Sequence, residues 1–243
     1  MAIIVVGGSN RGVGKTTLVC GLIAALPEYR WNAVKITTHD HPQTTVSPDG
    51  SKADEGLATA RDPRAPFFRQ IFERRSAELA PRPAPAPESS PIWEETTPGE
   101  ETDTGRYLAA GAMRALLVSA PDGELSGSLN QLWPRFGRGT NLIFESNSVV
   151  HHVRADVCLL IHAVAVRELP LPERKPSFIS ALCHADALVS QAGADKVLPD
   201  RLCLAGGDQT ASLKPIFQLR SLERVSPELL DWVHLHLPAP LHF

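Results

Sequence analysis

Two spacings of apolar residues alternate along this chain. Short continuous apolar runs, beginning with Ala2-Ile3-Ile4-Val5-Val6, have the pattern of strands buried on both faces, whereas Leu18, Leu22, Ala25 and Leu26 recur at helical spacing. The same pattern predicts strands over Asn32–Thr37, Arg114–Ser119, 141–145 and Val157–His162, with later ones over 187–190 and 202–205. Helices are expected between them, over 106–112, 125–135, 176–183 and 227–235. Strands alternating with helices imply βαβ units and a parallel sheet, so the expected class is α/β, doubly wound and mostly parallel. In such sheets ligands bind at the carboxyl ends of the strands.

The alternation breaks once. A single domain over 1–243 is expected to carry an insertion over 42–102, in two parts. Residues of about 52–79 are helix-compatible, with Phe67, Phe68, Ile71 and Phe72 beside Arg69, Arg74 and Arg75. Residues of about 80–102 contain prolines at 81, 83, 85, 87, 91 and 98 and a run of acids, which predicts an extended Pro-rich acidic linker. Its alternatives are a solvated loop, a lid over a bound ligand, or an arm that docks a protein partner with Trp93 as its apolar anchor.

The segment between the first strand and first helix carries the chemistry. Gly7-Gly8-Ser9-Asn10-Arg11-Gly12-Val13-Gly14-Lys15-Thr16-Thr17 lets backbone N–H groups approach an anion, the helix start adds about half a positive charge, and Lys15 supplies a full one. Asn10, Arg11, Gly12, Val13, Gly14, Lys15, Thr16 and Thr17 are therefore the candidate phosphate contacts, with Thr16 as the hydroxyl offered to Mg²⁺. The motif departs from the usual spacing because Ser9 stands where its first glycine belongs. The loop's ending resembles that of the dimerising ATPases that include partition and division-site ATPases and nitrogenase iron protein. Asn10 occupies the place of their second lysine, which argues against a lysine reaching across a dimer and leaves oligomerisation open.

Composition narrows the class without naming a reaction. With 243 residues, 43% of them hydrophobic, the chain can bury one large core, and its formal charge of -3 gives no reason to expect nucleic-acid binding. The apolar start runs straight into the glycine loop, so neither a signal peptide nor a membrane span is expected, and the expected location is cytoplasmic. Cys20, Cys158, Cys183 and Cys203 form no C-x-x-C pair and have the pattern of buried small hydrophobes.

Two polar groups follow predicted strands. Lys35-Ile36-Thr37-Thr38-His39-Asp40-His41 offers Asp40 as a Mg²⁺ ligand and catalytic carboxylate, while His39 and His41 are either loop packing or a transition-metal pair. Asn141-Leu142-Ile143-Phe144-Glu145-Ser146-Asn147 brings Glu145 to a strand end, where a carboxylate can polarise water or bind the metal's outer shell; a helix cap or structural ion pair is the alternative. The candidate catalytic set is Lys15, Asp40 and Glu145. The candidate metal set is Thr16, Asp40 and Glu145.

The glycine loop, the segment 34–40, the segment from Asp103-Thr104-Gly105-Arg106 to Ala110-Gly111-Ala112, and residues 141–147 resemble, in order, the molybdopterin-guanine dinucleotide biosynthesis B family. That resemblance implies a P-loop fold that binds and hydrolyses GTP as an accessory to cofactor maturation. It assigns phosphate binding to Gly12 through Thr17, metal and phosphate sensing to Asp40 and a Walker-B-like role to Glu145, with Asp103 and Arg106 matching more loosely. Ser146 and Thr38 depart from the family pattern, and no Asn-Lys-x-Asp guanine reader is present, so ATP and GTP both stand as the expected nucleotide. The expected activity is Mg²⁺-dependent nucleoside-triphosphate binding and hydrolysis. The alternatives are a small-molecule kinase and a nucleotide-binding adaptor with negligible turnover.

Overall fold

Every residue of the first strand, β1 (Ile3–Gly8), is buried, which requires cover on both faces of the sheet. The computed structural model describes residues 1–37, 92–120, 122–162, 176–191, 214–219 and 225–240. Its other strands are β2 (Asn32–Thr37), β3 (Ile92–Glu95), β4 (Arg114–Ser119), β5 (Leu142–Glu145), β6 (Val157–His162), β7 (Ala187–Gln191) and β8 (Ile216–Leu219). They form one sheet in the order β3-β4-β2-β5-β1-β6-β7-β8. All neighbours are parallel except β3 and β4. The expected α/β class, doubly wound and mostly parallel, is the one observed.

Side-chain parity explains why the central strands are apolar on both faces. Ile4, Val6, Ala33, Ile143 and Leu159 face one layer, where they meet Leu18 and Leu22 of α1 (Lys15–Ala25), Tyr107 of α2 (Asp103–Ala109) and Leu229 and Val233 of α5 (Pro227–His236). Alternate residues Val5, Val34, Leu116 and Phe144 face the other layer and pack on Leu125, Leu129 and Leu132 of α3 (Leu125–Leu132). Farther along the sheet, Phe178 and Ala181 of α4 (Pro176–His184) cover Leu160 and Leu188. Each large apolar side chain so buried contributes about 1.5–3 kcal/mol.

Polar side chains fix the amino ends of the central strands. Asn141 accepts from the Ala2 N–H at 2.7 Å and donates to the Tyr29 carbonyl at 2.6 Å, while Asp156 accepts from the Ile3 N–H at 2.8 Å. With that end fixed, the register sets Val6 beside Glu145 and Lys35 beside Glu145 at the opposite end.

Three expectations are revised. Residues 92–95, expected within the linker, are an edge strand, because Leu116, Leu117 and Val118 offer them a pairing partner and Arg114 grips Glu94 at 2.6 and 2.7 Å. The helix expected over 106–112 starts and ends earlier: the Thr102 hydroxyl accepts from the Gly105 N–H at 2.9 Å to cap its start, and Gly111 turns the chain at φ 105°. Strand β8 was not expected; the strand expected over 202–205 and the helix over 52–79 lie outside the described residues.

Candidate functional site

The loop of residues 9–14 leaves β1 at its carboxyl end and enters α1 directly. Gly12 and Gly14 have φ of 76° and 97°, a left-handed conformation that lets the chain reverse where a side chain would be strained. Gly14 sits at the N-cap of α1, where no side chain caps the helix and no acid lies in the first turn. The opening N–H groups and the helix dipole therefore present positive potential at this end of the sheet. Asn10, Arg11 and Gly12 form the exposed tip of the loop, and Val13 is buried beneath it. The Lys15 ammonium donates to the Asn10 carbonyl at 2.8 Å.

Thr16 connects this loop to a buried ion-pair centre. Its hydroxyl donates to Glu145 Oε2 at 2.8 Å, and the buried Tyr107 phenol donates to that same oxygen. Lys35 Nζ donates to Glu145 Oε1 at 3.0 Å and also pairs with Asp103. Thr16 and Asp103 also interact through their side chains. Three donors thus converge on one carboxylate, which is 4% exposed. Such an arrangement holds Glu145 rigidly and leaves it little capacity to polarise a water.

Asp103, Arg106 and Tyr107 reach this centre together because they lie at i, i+3 and i+4 on α2. Arg106 donates to the Thr17 hydroxyl at 3.3 Å and lies 3.9 Å from Asp103. The start of α2 is fastened by Glu95, whose carboxylate accepts from the Thr96 and Thr97 N–H groups at 3.0 and 3.2 Å and from the Thr102 hydroxyl at 3.0 Å. The edge strand thereby helps to position Asp103.

The charges in the centre support one another. Burial works against the Lys35 ammonium, but Glu145 and Asp103 outweigh it and hold its pKa above the ordinary 10.5. Burial likewise opposes the Asp103 carboxylate, yet Lys35, Thr16 and Arg106 hold it below the ordinary 3.8. Burial first, then the Glu145 charge, keeps the Tyr107 phenol well above its usual range, so it remains a donor. Burial also pushes the thiols of Cys20 and Cys158 up to about 11 and about 12, which makes both poor nucleophiles at neutral pH. Cys183, expected to be buried, is exposed near the end of α4, and Cys203 lies outside the described residues.

Of the residues expected in the site, Thr16 and Glu145 are in contact, and Lys15 lies one residue from Thr16. Asp40, with His39 and His41, lies outside the described residues. Among the described residues, no three His, Cys, Asp or Glu side chains are grouped so as to hold a metal. The hard oxygens of Thr16, Asp103 and Glu145 nevertheless suit Mg²⁺, which takes few protein ligands and completes its shell with phosphate and water.

Lys35 and Tyr107 had no role in the sequence reading, although one signal was available. A lysine inside an otherwise buried strand must find a counter-charge. The Asn147 side chain binds the Gly8 backbone.

No protein-family model matches the chain, and no curated protein sequence matches it. Among solved structures, the chain is similar to the crystal structure of the "apo" form of LpxK from Aquifex aeolicus in complex with ATP. The identity is 16% and the TM-score 0.41, over 90% of this chain and 53% of that one. The chain therefore spans about half the length of that protein. No described helix is long and apolar enough to cross a membrane.

Proposed function

We propose that this protein binds a nucleoside triphosphate, ATP or GTP, with Mg²⁺ and hydrolyses it. The observation that carries this reading is the junction of β1 and α1, where left-handed Gly12 and Gly14 expose N–H groups beside Lys15 while Thr16 rests on Glu145 at 2.8 Å. Gly12 through Thr17 would hold the phosphates, and Lys15 would turn from the Asn10 carbonyl to neutralise them. Thr16, Asp40 and Glu145 would hold Mg²⁺, which when bound neutralises phosphate charge. Glu145 would act chiefly by orienting Thr16 and Lys35, and Arg106 of α2, whose side chain reaches Thr17 in the first turn of α1, would offset charge developing on the phosphates.

The order of the four motif segments supports a further reading, that the nucleotide cycle serves a cofactor-maturation step or regulates a protein partner. The part of the insertion that precedes β3 would then dock that partner. A fluorescent-nucleotide titration tests the central reading: Lys15→Ala should abolish binding, and unchanged affinity would overturn the phosphate assignment. Product analysis tests the reaction. Free phosphate released without an acceptor supports hydrolysis, whereas transfer that requires a small-molecule acceptor would make the protein a kinase.

A further inference from the structure

The Lys35 ammonium lies between the carboxylates of Asp103 and Glu145 and pairs with both. The oxygens of Asp103 and Glu145 that flank it belong, with the Thr16 hydroxyl, to the set best suited to a divalent ion. An ammonium and a divalent ion repel each other and compete for the same carboxylate charge, so an ion is disfavoured while Lys35 pairs with both acids. The two acids differ in freedom. The Glu145 side chain is 5% exposed and held by Tyr107 and Thr16 as well as Lys35, whereas the Asp103 side chain is 38% exposed and lies on the first turn of a short helix.

Resting on the nucleotide-binding reading above, we propose that Lys35 is the resident cation of the divalent-ion site: it neutralises Asp103 and Glu145 in the nucleotide-free protein and yields Asp103 to the ion that arrives with the nucleotide. With Arg106 also near Asp103, two cations balance two carboxylates, so a free divalent ion finds no excess negative charge to draw it in. A triphosphate on the loop supplies that excess. Metal binding therefore follows nucleotide binding, and Asp103 becomes a metal ligand in addition to Thr16 and Glu145.

The test is a Mn²⁺ titration of the nucleotide-free full chain, with the free ion followed by electron paramagnetic resonance. Wild type should bind Mn²⁺ only weakly, Lys35→Met should bind one ion at least about tenfold more tightly, and Lys35→Arg should resemble wild type. Lys35→Met combined with Asp103→Asn should lose the gain. Equal affinity in wild type and Lys35→Met, or tight binding by nucleotide-free wild type, would overturn the proposal.

If Lys35→Met does not fold, acetylation of wild type read by mass spectrometry decides. Labelling of Lys35 should rise when Mn²⁺ is added to protein saturated with nucleotide in chelator, and no change would sink the idea. A nucleotide titration in chelator, read separately, shows whether the nucleotide-binding reading itself fails. The nucleotide-free Mn²⁺ comparison stands or falls apart from it.

Discussion

The side-chain amide of Asn147 closes on the backbone of Gly8 through two hydrogen bonds. Gly8 N–H donates to Oδ1 at 2.7 Å, and Nδ2 donates to the Gly8 carbonyl at 2.9 Å. The loop after β5 thereby fixes the last residue of β1, from which the glycine loop departs. Asn147→Asp keeps the acceptor but sets an oxygen against the Gly8 carbonyl. It should cost about 1–3 kcal/mol in urea unfolding and weaken nucleotide binding. Unchanged values in both assays would show that the clamp is dispensable.

Gly105 lies in the first turn of α2, where alanine is ordinarily the better helix former by about 1 kcal/mol. Here a Cβ would meet the Thr102 hydroxyl at 2.9 Å and the Gly99 carbonyl at 3.0 Å. The substitution strikes the cap itself. Gly105→Ala should therefore destabilise the protein by about 1–2 kcal/mol instead of stabilising it, as measured by thermal unfolding.

Tyr107→Phe removes one of three donors from a buried carboxylate while preserving the apolar ring. The expected loss is about 1–3 kcal/mol of stability. Because Thr16 shares the same Glu145 oxygen, its hydroxyl should also be less well fixed. Metal-dependent nucleotide affinity should fall more than affinity measured in chelator. Equal losses would assign Tyr107 to the core alone.

The Lys35–Asp103 pair predicts a broad pH plateau. Asp103 titrates below 3.8 in the fold, so its contribution is complete above that value and is lost as pH falls through the lowered pKa. Lys35 titrates above 10.5, so its contribution is complete below that value and is lost as pH rises through the raised pKa. The stability difference between wild type and Asp103→Asn should be constant from about pH 5 to about pH 9 and shrink below about pH 4. A difference that changes steadily through neutrality would contradict this assignment.

Strands Arg114–Ser119 and Val157–His162 were legible because a sheet covered on both faces requires apolar runs, and these have them; Asn32–Thr37 has shorter ones, broken at Lys35. Ile92–Glu95 was not legible. Two of its four residues are acids between prolines, and only Arg114 and the open edge of β4 make a strand of it. Within the site, Lys15, Thr16 and Glu145 were visible from local motif and strand-end position. Asp103 and Arg106 stand out in the sequence only by their order along the chain, and the helix face they share with Tyr107 is apparent only once α2 begins at Asp103.

The alternation of strands and helices and the glycine-rich loop are written in the chain alone, because periodicity, glycine conformation and the Gly-Lys-Thr ending are local properties. Which charges meet is set by the packing of the whole sheet. Lys35 and Glu145 are far apart in the chain, and their pairing follows from β2 lying beside β5, a neighbour relation set by how the whole sheet buries its apolar faces.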